Sequence, residues 1–214
     1  MSPVRIIALL LLVALAGWIV TDLCYPYKTD IHKIDADETA RMDAAMWRSY
    51  YENKKLKLFF QSASLMRNQF HFPLLRSHLV AVHVARAAFV FKEGKSRVDY
   101  NKALPPLQDY FGAINNISTT KFNIDSAART ELEWWIIRRD KTISPAEWEG
   151  WLAATASVMY HRPTGSFKEY ARLRVKAMVL RDQKGMDITE SDWNTIEAIL
   201  TDAWRSFAVA CGEI

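Results

Sequence analysis

The pattern of apolar positions changes character once, close to the start of the chain. Ile6 to Val20 form fifteen consecutive positions without a charge or a strongly polar group. Val4 and the segment Thr21–Tyr25 bring the run close to the roughly 20 residues that cross a hydrocarbon core. A run apolar on every side is unlike the one-sided stripe of a core helix. Ala14-Leu15-Ala16 has the small-x-small form of a signal-peptide cleavage site. The apolar stretch continues past it, however, through Trp18, Ile19 and Val20. Trp18 and the following Tyr25-Pro26-Tyr27 have the aromatic character of a bilayer interface. The expectation is therefore an uncleaved signal-anchor over residues 1–24, embedded through residues 5–23, then a juxtamembrane linker over 25–36. Asp22 stands where the lipobox of a lipoprotein would need a small residue before Cys24.

From Asp37 onward the period is helical. The pattern predicts one or two helices from Asp37 to Asn68, then helices over Pro73–Glu93, from Pro105-Pro106 to Asn115, Ser126–Arg139, Pro145–Tyr160, Phe167–Gln183 and Glu190–Ala210. Start signals support the later ones. Ser144-Pro145-Ala146-Glu147 and Ser166-Phe167-Lys168-Glu169 have the form of capping boxes, and Thr189 with Asp192 is a weaker version. No Asn-Gly or similar hairpin signal separates alternating runs, and no fixed repeat occurs. The fold class expected is all-α: a single N-terminal transmembrane helix followed by one compact multi-helix bundle over residues 37–214. The last helix is the clearest case. Trp193, Ile196, Leu200, Ala203, Trp204 and Phe207 follow steps of three and four and predict a core stripe.

The same angular bookkeeping exposes charges on the wrong face. On the helix containing Glu131, the apolar arc of Ala127, Ala128, Leu132, Trp134, Trp135 and Ile136 also holds Glu131 and Arg138, whereas Arg129, Glu133 and Asp140 lie opposite. Trp134 precedes Arg138 by one turn and Trp135 precedes Arg139, a spacing that lets a guanidinium cover an indole. Asp43 stands at the centre of an arc of Ala40, Ala44, Met46, Trp47, Tyr50 and Tyr51. Arg174 and Arg181 share an arc with Phe167, Tyr170, Ala171, Val175, Ala177 and Met178. His78 lies among Ala81, Val82, Ala85 and Phe89, with His83 on the more polar side. The inward set is thus Asp43, His78, Glu131, Arg138, Arg174 and Arg181. Bare charges in a core are costly, so these groups must pair, bind something or reach water. Carboxylate–arginine pairs holding helices in register are the first expectation. Three arginines against two carboxylates leave room for a second, a small anionic ligand. A general base at Asp43 or Glu131 near His78 is a third.

Composition narrows the choice. Half of the 214 residues are apolar, enough for a substantial core, and a formal charge of +4 without a long basic run gives no reason to expect a nucleic-acid partner. Glu-x-x-His, His-x-x-x-His, CxxC, CxxCH, GxSxG, P-loop and GxGxxG patterns are all missing, so neither a metal nor a cofactor is expected. The two cysteines, Cys24 and Cys211, allow an end-to-end cross-link outside the cytoplasm. Arg5 before the span and Lys28 and Lys33 after it nearly balance the positive-inside rule. The short tail carrying Arg5 tips the expectation toward a body on the non-cytoplasmic side. The function expected is a membrane-anchored accessory or scaffold subunit with protein partners, with Trp148 and Trp151 as surface candidates. Its rival is an anchored ligand-binding protein or enzyme using the inward set.

Overall fold

The computed structural model describes residues 2–140 and 142–212. Met1, Lys141 and residues 213–214 of the expected domain lie outside the described residues. Ten α-helices appear among those described: α1 Pro3–Cys24, α2 Ala36–Tyr51, α3 Lys55–Phe70, α4 Leu74–Glu93, α5 Arg97–Asn101, α6 Leu104–Ile117, α7 Ile124–Arg139, α8 Pro145–Tyr160, α9 Lys168–Lys184 and α10 Glu190–Cys211. The only pairing of extended backbone among the described residues is an isolated bridge between Thr29 and Ser118.

From α2 to α10 the long helices pack in chain order, each on the next, and α10 returns to pack on α2. The body is a closed circuit of helices around a shared apolar interior. Phe111, Ile114, Leu132, Phe167, Tyr160 and Phe207 are among its buried members. Short α5 fills the corner between α4 and α7. The apolar pattern does not predict it; Ser96 starts it by accepting a hydrogen bond from the Asp99 backbone N–H at 3.2 Å. Gly94 is required beside it, because a Cβ there would stand 2.7 Å from the Tyr100 ring.

Helix ends follow the sequence signals unevenly. The apolar pattern between Asp37 and Asn68 resolves into two helices because Asn53 takes a left-handed conformation, φ 56°, that asparagine tolerates. Of the three box-like signals, the one read as weakest is the one that forms. Thr189 and Asp192 cap each other's backbone N–H groups at the start of α10. Ser144 makes no side-chain cap. Ser166 lies in a 3-10 turn, Thr164–Phe167, and Phe167 is drawn fully into the core at the position before α9. Tertiary burial of that ring overrides the local signal.

α1 has 22 residues, about 33 Å at 1.5 Å per residue. Its apolar side chains stay largely exposed, Leu11 at 65% for example. Both α1 and α4 are long and apolar enough to cross a membrane. α4, however, packs between α3 and α6 and buries Ser77, Val80, Ala81 and Ala87 in the body. α1 meets the body at α4 and near its own last turn. There the Asp22 carboxylate, 7% exposed, accepts the backbone N–H groups of Leu75 at 3.1 Å and Arg76 at 3.2 Å. The first N–H groups of a helix have no partner within it. α4 begins at a proline N-cap with no side-chain acceptor, so Asp22 supplies from another helix what the local sequence lacks.

Residues 25–36, expected as a linker, are built into the body. Ile31 is fully buried and Ile34 nearly so. The Thr29 N–H donates to the Ile117 carbonyl at 2.8 Å, satisfying the C-terminal end of α6, and its carbonyl accepts from Thr119 at 2.9 Å. The end-to-end cross-link is not made: Cys24 is exposed at the end of α1, Cys211 is buried at the end of α10, and no disulfide joins them. Ile31→Ala is expected to cost about 2–5 kcal/mol and to lower the melting temperature by roughly 5–15 °C. A melt indistinguishable from wild type would show that residues 25–36 behave as a linker after all.

Candidate functional site

Three of the helices meet at Asp43. It stands in the middle of α2 between Ala40 and Ala44, both buried, and is itself 6% exposed. Arg174 of α9 donates to its Oδ2, forming an ion pair in which both side chains are almost out of water. The Trp204 indole of α10 donates to the same oxygen at 2.9 Å. The Arg174 guanidinium lies within 5.5–5.6 Å of the ring centres of Trp47, Tyr170 and Trp204. A desolvated guanidinium gains most from such faces, and they surround one whose Nε has no hydrogen-bond partner. Burial works against its charge, but Asp43, Tyr170 and Glu131 outweigh it and hold its pKa above the ordinary arginine range. Burial also pushes the Tyr170 phenol up to about 12, so that hydroxyl stays protonated at neutral pH.

Glu131 borders this cluster from α7 without an ion pair of its own among the described residues. Its carboxylate accepts the Trp135 indole N–H at 2.8 Å, one turn along the same helix. Desolvation raises its pKa, opposed by that hydrogen bond and by the field of Arg174. Tyr110, whose pKa burial also raises, feels the Glu131 charge.

The other predicted members lie elsewhere. Arg138 pairs with Asp182 of α9 and places its guanidinium 4.6 Å from the centre of the Trp148 ring. Arg181 covers Tyr51 at 3.7 Å. His78 is separate from the cluster, against Phe59 and Phe60 of α3, with Nδ1 2.7 Å from the Leu74 carbonyl oxygen of its own helix. The surplus of arginine inferred from sequence is thus taken up by Asp182 and by ring faces. The i to i+4 stacks expected in α7 are not the ones made. Arg138 turns to Trp148, and Arg139 lies over Phe91 and Tyr100 while donating to the Phe91, Lys92 and Gly94 carbonyls at the end of α4. Trp148 is accordingly buried, 7% exposed, and is no surface candidate; Trp151 is 38% exposed. Glu133, expected in solvent, is half-buried and pairs with Arg97. Tyr50, placed in the α2 arc by its angle, is 60% exposed.

Two surface clefts deserve comparison with this set. One, of about 440 Å³, has Asp30, His32, Lys33 and Arg162 in its walls. The other, of about 230 Å³, lies where α1 meets α4 and has Trp18, Tyr25 and Arg76 among its walls. None of the six predicted residues lines either cleft. Among the described residues no group of three or more histidine, cysteine or acidic side chains is placed to hold a metal ion. No family model matches the chain, and neither does any curated protein or solved structure.

Sequence reasoning missed Asp22, Asp182 and the tie from Trp204 to Asp43. Only the last had a signal: a core tryptophan needs an acceptor for its indole N–H, and Asp43 is one of the two carboxylates expected to face inward.

Two outcomes are expected. Arg174→Ala, or Asp43→Ala, leaves a buried charge unpaired and should cost about 3–5 kcal/mol. The Asp43→Asn, Arg174→Met double variant should lose less than the sum of its single changes in denaturant melts. Glu131 behaves with the opposite sign. Because its folded pKa is raised above the ordinary 4.5, the folded state holds the proton more tightly than the unfolded chain. Its contribution is intact below the unfolded pKa and is lost as pH rises through the folded one. Glu131→Gln should therefore melt higher than wild type at pH 7–8 and converge with it near pH 4. A variant less stable at pH 8 than at pH 4, relative to wild type, would refute this assignment.

Proposed function

We propose that this protein is a single-pass, membrane-anchored helical domain that acts as a non-catalytic accessory or scaffold subunit of a larger membrane assembly. The observation that carries the proposal is the mutual satisfaction of the inward charges: Asp43 with Arg174 and Trp204, Arg138 with Asp182, Glu131 with Trp135. The first two sets fix helices in register, the third holds Glu131 within α7, and none of these side chains lines either cleft. The exposed apolar surface points in the same direction. Leu56 and Phe60 on α3 and Leu79, Val82 and Phe89 on α4 are 40–77% exposed, a density of exposed apolar side chains suited to contact with a partner. α1, apolar on all sides, supplies the anchor. The rival, a small-anion site or a general base in the inward set, would need those charges to face a cleft, and none of the six lines either cleft described above.

For orientation we adopt the body on the non-cytoplasmic side, which Arg5 ahead of the span favours and Lys28 and Lys33 oppose. Exposed Cys24 at the end of α1 provides the readout. A membrane-impermeant maleimide applied to intact cells should label it, and protection until the membrane is opened would reverse the orientation. The subunit proposal predicts that extraction from native membranes in mild detergent yields a large particle with stoichiometric protein partners identifiable by mass spectrometry. A small particle carrying only a bound anion would overturn it in favour of a ligand-binding role.

A further inference from the structure

The cleft between α1 and α4 holds an arginine for which the fold provides no partner. Arg76 lies in the first turn of α4, half-buried, and its Nε is sealed from water without a hydrogen-bond acceptor. Its guanidinium has no ion pair or hydrogen bond among the described residues. The nearby Asp22 carboxylate is committed to the backbone N–H groups of Leu75 and Arg76, including that of Arg76 itself. A buried donor left unsatisfied is costly and calls for an explanation. The other walls are Trp18, Thr21, Asp22 itself, Tyr25, Tyr27 and Pro73, around a volume of about 230 Å³.

The depth of this cleft follows from the anchor. α1 has 22 residues, enough to cross a hydrocarbon core of about 30 Å, and the cleft lies at its last turns. That is the level of the lipid headgroups, where tryptophan and tyrosine settle. A guanidinium presents a planar fork of donors matched to phosphate oxygens. The start of α4 adds the positive end of a helix dipole, which the Asp22 carboxylate offsets only in part. Resting on the reading of α1 as a membrane anchor, we propose that Arg76 and the aromatic walls of this cleft bind the phosphodiester of a phospholipid headgroup. The bound lipid would lock the angle between anchor and body.

The test uses the full chain purified in mild detergent, with retained lipid measured by native mass spectrometry and phosphorus assay. Wild type should keep a phospholipid in stoichiometric amount. Arg76→Gln should keep about tenfold less, and Arg76→Lys an intermediate amount. Arg86→Gln, on the exposed side of the same helix, should match wild type. Equal retention by wild type and Arg76→Gln overturns the proposal. If Arg76→Gln does not fold, Tyr25→Ala replaces it, since that side chain is 64% exposed; unchanged lipid in that variant overturns the proposal equally. Inorganic phosphate added to delipidated protein separates the two sources of the ligand chemistry. Stabilisation that depends on Arg76, with no lipid retained, assigns the cleft to free phosphate and overturns the lipid. Membrane fractionation keeps the two readings apart. A chain in the soluble fraction refutes the anchor and the lipid together. A chain that sediments with membranes but shows no Arg76-dependent lipid refutes only the site.

Discussion

The circuit of helices is closed at one place, and a buried charge holds it there. Asp43 on α2 takes Arg174 from α9 and Trp204 from α10, residues 131 and 161 positions away in the chain. Every other step around the body joins helices that are neighbours in sequence or nearly so. This step joins the two ends, so its loop-closure entropy is the largest in the fold. Apolar packing alone tolerates sliding between helices, whereas a desolvated carboxylate with two fixed donors tolerates little. The aromatic rings of Trp47, Tyr170 and Trp204 around the Arg174 guanidinium make the pair tolerable in a dry interior. At the rims of the same contact, Arg48 pairs with Glu190 and Arg205 with Asp37. These exposed pairs add little to stability, typically under about 1 kcal/mol each.

A second tie, between α1 and α4, has the same logic. α4 starts at a proline with no capping side chain, and Asp22 reaches over from α1 to accept its first N–H groups. A carboxylate at a helix N-terminus gains both hydrogen bonds and the dipole. Because residues 25–36 are also packed into the body, α1 is held by Asp22 and by the buried segment that follows it.

The remaining unusual charges serve the same architecture. Arg139 caps the carbonyl end of α4, Arg138 joins α7 to α9 over Trp148, and Arg181 covers Tyr51. Glu131 is half-buried with a neutral donor, the Trp135 indole, and it borders the Asp43 cluster closely enough to feel Arg174. Its raised pKa comes from desolvation without an ion-pair partner. In this setting a perturbed carboxyl is a consequence of where α7 packs, and it faces neither of the two clefts.

Much of this was legible in the residues alone. The all-apolar run over Ile6–Val20, the helical period beyond Asp37, the α10 stripe from Trp193 to Phe207, and the inward placement of Asp43 and Arg174 all follow from local spacing. A helix fixes the direction of each side chain relative to its neighbours in the same turn. What spacing leaves open is which side chain on another helix it meets. That is why Arg138 and Arg139 left the indoles one turn away for Trp148 and Phe91, and why Glu131 found Trp135 and no arginine. It is also why Phe167 cancelled the Ser166 cap, and why Asp22 became a cap for α4. The sequence by itself determined the long helices, the membrane-competent segment and the faces that carry buried charge. Tertiary structure alone decided the partners, because a charge pair between residues more than a hundred positions apart exists only once the chain has closed.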